Sequence, residues 1–458
     1  MRRTFSSLRY RNYRLFFFGQ AVSQSGSWMQ RIALSWFVLQ LTHGNSLAVG
    51  IMAVAQFLPF TLFGLFAGVI TDRMDARRLV IGTQIAQLIT AVALAWIALG
   101  GFAQPWMLYT IAFINGVILV LDVPSRQQLT YRMVGRDALP NAIALNSSLF
   151  NASRIFGPSL AGIILGFAGV GVCFTVNAIS FLAVLLGLLA MRSSEFFPVE
   201  KFERPAIFRG TREGLSYVRK QPRMRIVLGL TLVLSTFCFN FNVTLPVLAY
   251  TTLHTRAFVF GLLSAAFGAG ALAGALVAAS RGRASAKVMI IGSLVFTGSE
   301  LLLAPMRGAL LAGTLLFFTG AGFTIWSANS NALLQLAAPD RLRGRIIGLY
   351  FYAFNGTGPL GGLLAGWLCA TGGTEAAFLV AGIVGLAATG VAAQQLRERQ
   401  RPGRDLVARL LGADGDGDLR VRGHNCPGLS LRQHDPDLAL PVDGLHRQRV
   451  VDQGRSRS

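Results

Sequence analysis

The chain has 458 residues, of which 53% are apolar and only 14% charged, and its mean hydropathy is +0.53. So little charge cannot keep a globule of this size dispersed in water, which excludes an ordinary soluble domain. A net charge of +22 suits a nucleic-acid binder only when it gathers on one face or stripe. Here it recurs in every second loop, so nucleic acid is not an expected partner and the lipid bilayer is.

In chain order, apolar stretches long enough for a spanning helix of about 20 residues run over about 15–41, 46–71, 79–100, 105–124, 141–166 and 169–191. After a polar stretch they resume over about 226–250, 257–280, 286–304, 308–330, 345–370 and 375–395. Arg9, Arg11 and Arg14 precede the first. Arg73, Arg77 and Arg78 follow the second, Arg126, Arg132 and Arg136 the fourth, and nine basic residues lie between Arg192 and Arg225. Arg281, Arg283 and Lys287, then Arg341, Arg343 and Arg345, continue the series, whereas the alternate loops hold only Arg256 and Arg307. By the positive-inside rule this predicts an all-α membrane protein of twelve transmembrane helices, multi-pass, with both termini cytoplasmic.

The two halves match. Ser125–Leu129 leads through a basic loop to Phe150-Asn151 and Gly157-Pro158; Ser330–Leu334 leads likewise to Phe354-Asn355 and Gly358-Pro359. A parallel repeat of this kind builds transporters from two equivalent six-helix bundles. The expected domains are an N-terminal bundle (1–191), a basic cytoplasmic linker (192–225), a C-terminal bundle (226–398) and a tail (399–458). After Gln400 the chain carries ten arginines, eight aspartates and no apolar period, a composition that predicts disorder.

Gly68-Val-Ile-Thr-Asp72-Arg73-Met-Asp75-Ala-Arg77-Arg78 resembles the signature between helices 2 and 3 of the major facilitator superfamily, G-x-x-x-D-R-x-G-R-R/K. Asp75 stands where the family has glycine. Asn151–Gly162, centred on Gly157-Pro158, is similar to the family's helix-5 antiporter motif, and a packing kink is its plainer reading; Gly358-Pro359 is the helix-11 equivalent. Arg11–Phe16, Gly26–Arg31, Leu139–Asn146 and Gly214–Arg219 resemble the enterobactin-exporter-like branch over about residues 5–398. The resemblance implies two pseudo-symmetric six-helix bundles, a bacterial inner-membrane location and proton-coupled export of siderophore- or drug-like molecules. It also implies a conformational latch at Gly68, Asp72, Arg73, Arg77 and Arg78, with Arg126 as partner; plain topological charge is the alternative.

Polar side chains inside a span face protein or water. Gln20, Gln24 and Arg31 share one face of helix 1, and Asn151 and Arg154 one face of helix 5. The two arginines suit an anionic group such as a carboxylate or catecholate. Asn115, Asn240, Trp326, Asn329 and Asn355 join them as candidate cavity residues, although amides also serve as hydrogen bonds between helices. Asp122 is the proton-coupling candidate, unless it pairs with Arg126 one turn on.

No G-x-x-x-x-G-K-[ST] loop, catalytic triad or metal-ligand cluster is present, so no enzyme, metal or cofactor is expected. A monomeric alternating-access exporter of small amphipathic or anionic molecules is the leading expectation. The alternatives are an importer or facilitator of the same fold, and a transport-dead membrane sensor or scaffold.

Overall fold

The computed structural model describes residues 5–198, 207–280 and 284–398, with the backbone alone at 65, 68, 69, 72, 207–211, 340 and 341. The tail (399–458), the loop residues Arg281 and Arg283, the surroundings of Gly68, and the side chains of Asp72 and Arg341 therefore lie outside the described residues.

A chain in lipid must satisfy its backbone polar groups internally, and helices dominate. They are α1 (Arg11–Leu41), α2 (Ser46–Asp72), α3 (Ala76–Leu99), α4 (Pro105–Phe167), α5 (Gly169–Leu189), α6 (Ile207–Lys220), α7 (Pro222–Phe237), α8 (Phe241–Val247), α9 (Ala257–Ser280), α10 (Ala286–Leu303), α11 (Ala309–Ala337), α12 (Asp340–Asn355) and α13 (Gly358–Glu398). Among the described residues, nine segments are long and apolar enough to cross a membrane. The large apolar side chains of Ile89, Trp96 and Leu186 are 62%, 70% and 67% exposed, an outward greasy surface that only lipid accommodates.

Several boundaries differ from expectation. The first helix begins at Arg11, because Asn12 and Tyr13 are anchored rather than free. The stretch 192–225 is not a plain linker: it contains the amphipathic helix α6, which leads at once into α7. Glu213 of α6 pairs with Arg345 of α12.

The longest helix, α4, has 63 residues, which unbroken would extend about 95 Å. It is broken at Gly135, whose φ of 71° and ψ of −178° suit glycine. On one side of the break Asn115 and Asp122 bond α3; on the other, residues 154–162 pack on α1 and α9. A second break, at Gly372 and Gly373, divides α13.

Two of the stretches carrying the family resemblance meet at the Gly135 end. The Asn12 Nδ2 donates to Arg192 O (2.8 Å) and its Oδ1 accepts from Arg192 N (3.0 Å). The Tyr13 hydroxyl lies 3.0 Å from both Ala142 O and Asn146 Oδ1, and the Ser7 amide donates to Asn141 Oδ1. Asn12 is buried, so Asn12→Ala strands two backbone groups. It should destabilise the protein by about 1–3 kcal/mol, read as a lower thermal midpoint in detergent.

Helices α1–α5 pack on one another, and α7–α13 do likewise; the two groups meet along α2 with α13, α4 with α9 and α1 with α8. At Gly162 an added Cβ would sit 2.7 Å from Gly261 Cα, so the backbones touch and no side chain fits between them.

Candidate substrate chamber

Two interruptions in regular helix bound the space between the groups. The chain leaves helical geometry between Phe237 and Phe241, where Asn240 has φ −115° and ψ 30°, and again at Gly356–Thr357 between α12 and α13. Beside them lies a cavity of about 360 Å³, lined by Phe57 of α2, Phe239 and Asn240 at the first break, and Phe354, Asn355 and Gly358 at the second. At Gly358 a Cβ would fall 2.8 Å from Phe57 Cγ, so glycine there is what admits α2. Asn240 and Asn355 both line this cavity, Asn240 donating to Thr236 O and Asn355 to Phe351 O.

Arg31 and Arg154 come together. The Arg31 guanidinium carbon lies 4.4 Å from the Trp28 ring centroid, and that of Arg154 lies 5.7 Å from the same ring. Arg154 is also 5.5 Å from Phe267 of α9 and 5.5 Å from Phe323 of α11, so one side chain touches both helix groups. No hydrogen bond or ion pair ties either guanidinium to protein among the described residues. The aromatic wall continues through Phe239, stacked on Phe323 with centroids 4.4 Å apart, and Phe354. Trp326 is fully buried behind it, stacked on Phe296.

Around Gly157-Pro158 the backbone stays helical, the one non-helical residue inside α4 being Gly135. Gly157 instead gives α1 a close approach, its Cβ position lying 2.4 Å from Trp28 Cβ. Proline 359 begins the helix beyond the second break and is buried.

A second polar cluster lies between α1, α3 and α4. Asp122, 1% exposed, pairs with Arg126 (2.6 Å) and accepts from Thr83 (2.6 Å) and Gln84 (3.0 Å). Arg126 also donates to Gln20 Oε1. Gln20 Nε2 and Gln24 Oε1 are buried without a partner.

Other expected cavity amides serve as joints. Asn115 accepts from Thr90 of α3 (2.9 Å). Asn329 accepts from the Ser285 amide (3.1 Å) and donates to Ile325 O (2.8 Å), and Asn151 donates to Ser147 O. Arg126, expected to partner the latch aspartate, spends its hydrogen bonds on Asp122 and Gln20.

At the turn after α2, Asp75 supplies the chemistry. Its carboxylate accepts from the Arg78 amide (3.0 Å), capping α3, and pairs with Arg132 (2.6 Å). Arg77 donates to Leu188, Leu189 and Met191 carbonyls at the end of α5. Arg73 follows α2 as its C-cap. An aspartate directly before a helix is by itself an N-cap signal, and this one is legible at Asp75 in the sequence. Burial works against the ionised Asp75, but the Arg132 hydrogen bond, the Arg78 amide and the Arg132 charge outweigh it and hold the carboxyl below the usual aspartate range. A depressed folded-state value adds stability that is complete above the unfolded value of about 4 and is lost as pH falls through the folded one. Thermal stability of the parent should therefore show an acid limb below about pH 4, and Asp75→Asn should flatten it.

A sequence profile of the transmembrane secretion effector family matches residues 2–412. The staphyloferrin A transporter of Staphylococcus aureus (strain NCTC 8325 / PS 47) is 24% identical, covering 78% of this chain and 89% of its own. Macrolide efflux protein A of Streptococcus pyogenes is 23% identical over 82% of this chain and 94% of its own. In fold, the chain is similar to the nucleoside transporter NupG, with a TM-score of 0.67 at 13% identity, over 84% of this chain and 99% of that one. The relatives are transporters, not enzymes, and move small molecules across membranes. With an all-helical, lipid-facing body and a matched profile over most of its length, the chain belongs to the transmembrane secretion effector family of major facilitator superfamily transporters.

Proposed function

We propose that the protein is a proton-coupled exporter of small aromatic or amphipathic anions, working by alternating access in the bacterial inner membrane. Counting the breaks at Gly135 and Gly372–Gly373 as reversals, α7 with α8 as one pass, and α12 with the part of α13 before its break as another, makes twelve crossings with both termini cytoplasmic. Two six-helix bundles (1–191 and 226–398) then flank the chamber, and α6 links them.

The observation that carries the reading is the pair of guanidiniums with no hydrogen-bond or ion-pair partner among the described residues. Two like charges side by side in a low-dielectric interior are costly unless an anion or water meets them. The guanidiniums themselves lie against Trp28, Phe267 and Phe323, rings that would also stack on a flat aromatic substrate. Arg154 also gives a route from binding to movement. An anion that draws it off Phe267 and Phe323 removes contacts worth about 0.5–2 kcal/mol between the bundles, and frees them to rock. Relatives named for a siderophore and a macrolide support a substrate of this size and an outward direction.

The test is transport of 2,3-dihydroxybenzoate, an aromatic anion, and of ethidium, a cation, in inverted and right-side-out vesicles under an imposed pH gradient. Gradient-driven uptake of the anion into inverted vesicles supports the proposal. Uptake only into right-side-out vesicles makes the protein an importer, preference for ethidium overturns the anion site, and movement of neither probe removes the reading.

A further inference from the structure

One buried acid takes no part in the arginine pair or the Asp122 cluster. Glu300, in the last turns of α10, is 1% exposed, and its Oε2 has no hydrogen-bond partner. It lines a separate cavity of about 300 Å³ with Cys238, Asn240 and Thr244 from the α7–α8 break, and Ala377 and Phe378 from α13. On the far side α13 closes tightly over α10: a Cβ at Gly382 would lie 2.6 Å from Leu301 Cβ, and one at Gly385 2.4 Å from Thr297 Cγ2.

The charged groups around it are quickly named. Helix α11 carries none. Helix α10 adds only Lys287, at its opposite end. Of the charged residues of α13, Glu375 is exposed and paired with Arg307 (2.8 Å), and Arg397 and Glu398 stand exposed at the terminus. Cys238 is the other titratable group lining the cavity, and its thiol donates to Ala381 O (3.2 Å). So no cation faces Glu300 among the described residues. Asp122 is the opposite case, a carboxylate held by Arg126 and two neutral donors.

Asn240 lines both this cavity and the inter-bundle chamber. It stands where α7 is interrupted, with no glycine or proline between Phe237 and Phe241 to demand a break. That interruption, set between a chamber and a buried carboxyl with one unpartnered oxygen, is where irregular backbone is retained for function.

We propose that Glu300 is a proton-binding site, filled and emptied through the Asn240 break from the inter-bundle chamber. A buried carboxylate with one oxygen unpartnered and no facing cation is far costlier than the neutral acid. With the break closed, the carboxyl keeps a proton that hydronium has given up, one hydronium O–H bond having broken for the carboxyl O–H formed. When the chamber turns and water reaches Asn240, the carboxyl O–H breaks and the proton forms hydronium with that water. The inference deepens the proton-coupled reading above and assigns the proton to α10 rather than to Asp122.

Infrared titration of the full chain in proteoliposomes, with protons as the only ligand, tests it without any transported molecule; its failure is therefore separable from failure of the transport reading. The expected result is a protonated-carboxyl band at neutral pH that shifts on ¹³C-glutamate labelling, persists in Asp122→Asn and is lost in Glu300→Gln. Isotope labelling needs no variant, so a poorly folding substitution cannot obscure the answer. Absence of the band, its shift with ¹³C-aspartate instead, or its survival in Glu300→Gln overturns the proposal.

Discussion

Replacing Arg31 or Arg154 with alanine should cut transport of an aromatic carboxylate by about 10–100-fold, and replacing both should abolish it. Each guanidinium offers charge-assisted hydrogen bonds worth about 1.5–3 kcal/mol apiece, and the described residues supply no acceptor for them. For the same reason stability should hardly fall. Arg31→Ala relieves repulsion from Arg154 and gives up one ring contact, so its thermal midpoint should match or exceed the parent's. Arg31→Lys keeps the charge but loses the planar fork and its stacking on Trp28, and should fall between parent and alanine. Transport of the probe anion together with thermal unfolding separates the two accounts. If both activity and stability collapse, the arginines are structural.

Asp122→Ala is expected to give the largest loss of stability, about 3–5 kcal/mol. The substitution leaves Arg126 without its ion-pair partner and strands the Thr83 and Gln84 donors. Asp122→Asn should cost less, since an amide oxygen still accepts from both donors. Asp122→Ala combined with Arg126→Met should recover much of the loss, because removing both charges is far cheaper than removing one. A double-mutant cycle on thermal or denaturant unfolding measures this. Additive effects would mean the pair contributes little.

Much of the architecture was legible because lipid imposes a strong rule. Runs of about 20 apolar residues separated by alternating arginine-rich loops could hardly be anything else, and glycines at 135 and 372–373 stand where the chain turns. The break at Cys238–Asn240 was not legible, since no glycine or proline marks it and its cause lies in residues distant in sequence. The arginine pair was found from spacing alone, as one polar face of α1 and one of α4. Its aromatic setting was not, because Phe267, Phe323 and Phe354 read as ordinary lipid-facing residues until the helices are packed. Asn329 shows the converse limit: it looks like a cavity amide, but its oxygen caps the neighbouring helix through Ser285. Asp75 was visible and misjudged, a departure from the family pattern that turned out to carry both a helix cap and an ion pair.

The claim on which the rest depends is that water and an anion reach Arg154 between the two helix groups. Native Cys173, Cys238 and Cys369 are buried and, with Cys426, can be replaced first. Arg154→Cys in that background should then react with a water-soluble, sulfonate-bearing thiol reagent, itself an anion, while Ile89→Cys on the lipid face stays inert. An Arg154→Cys that is as unreactive as Ile89→Cys would contradict the account.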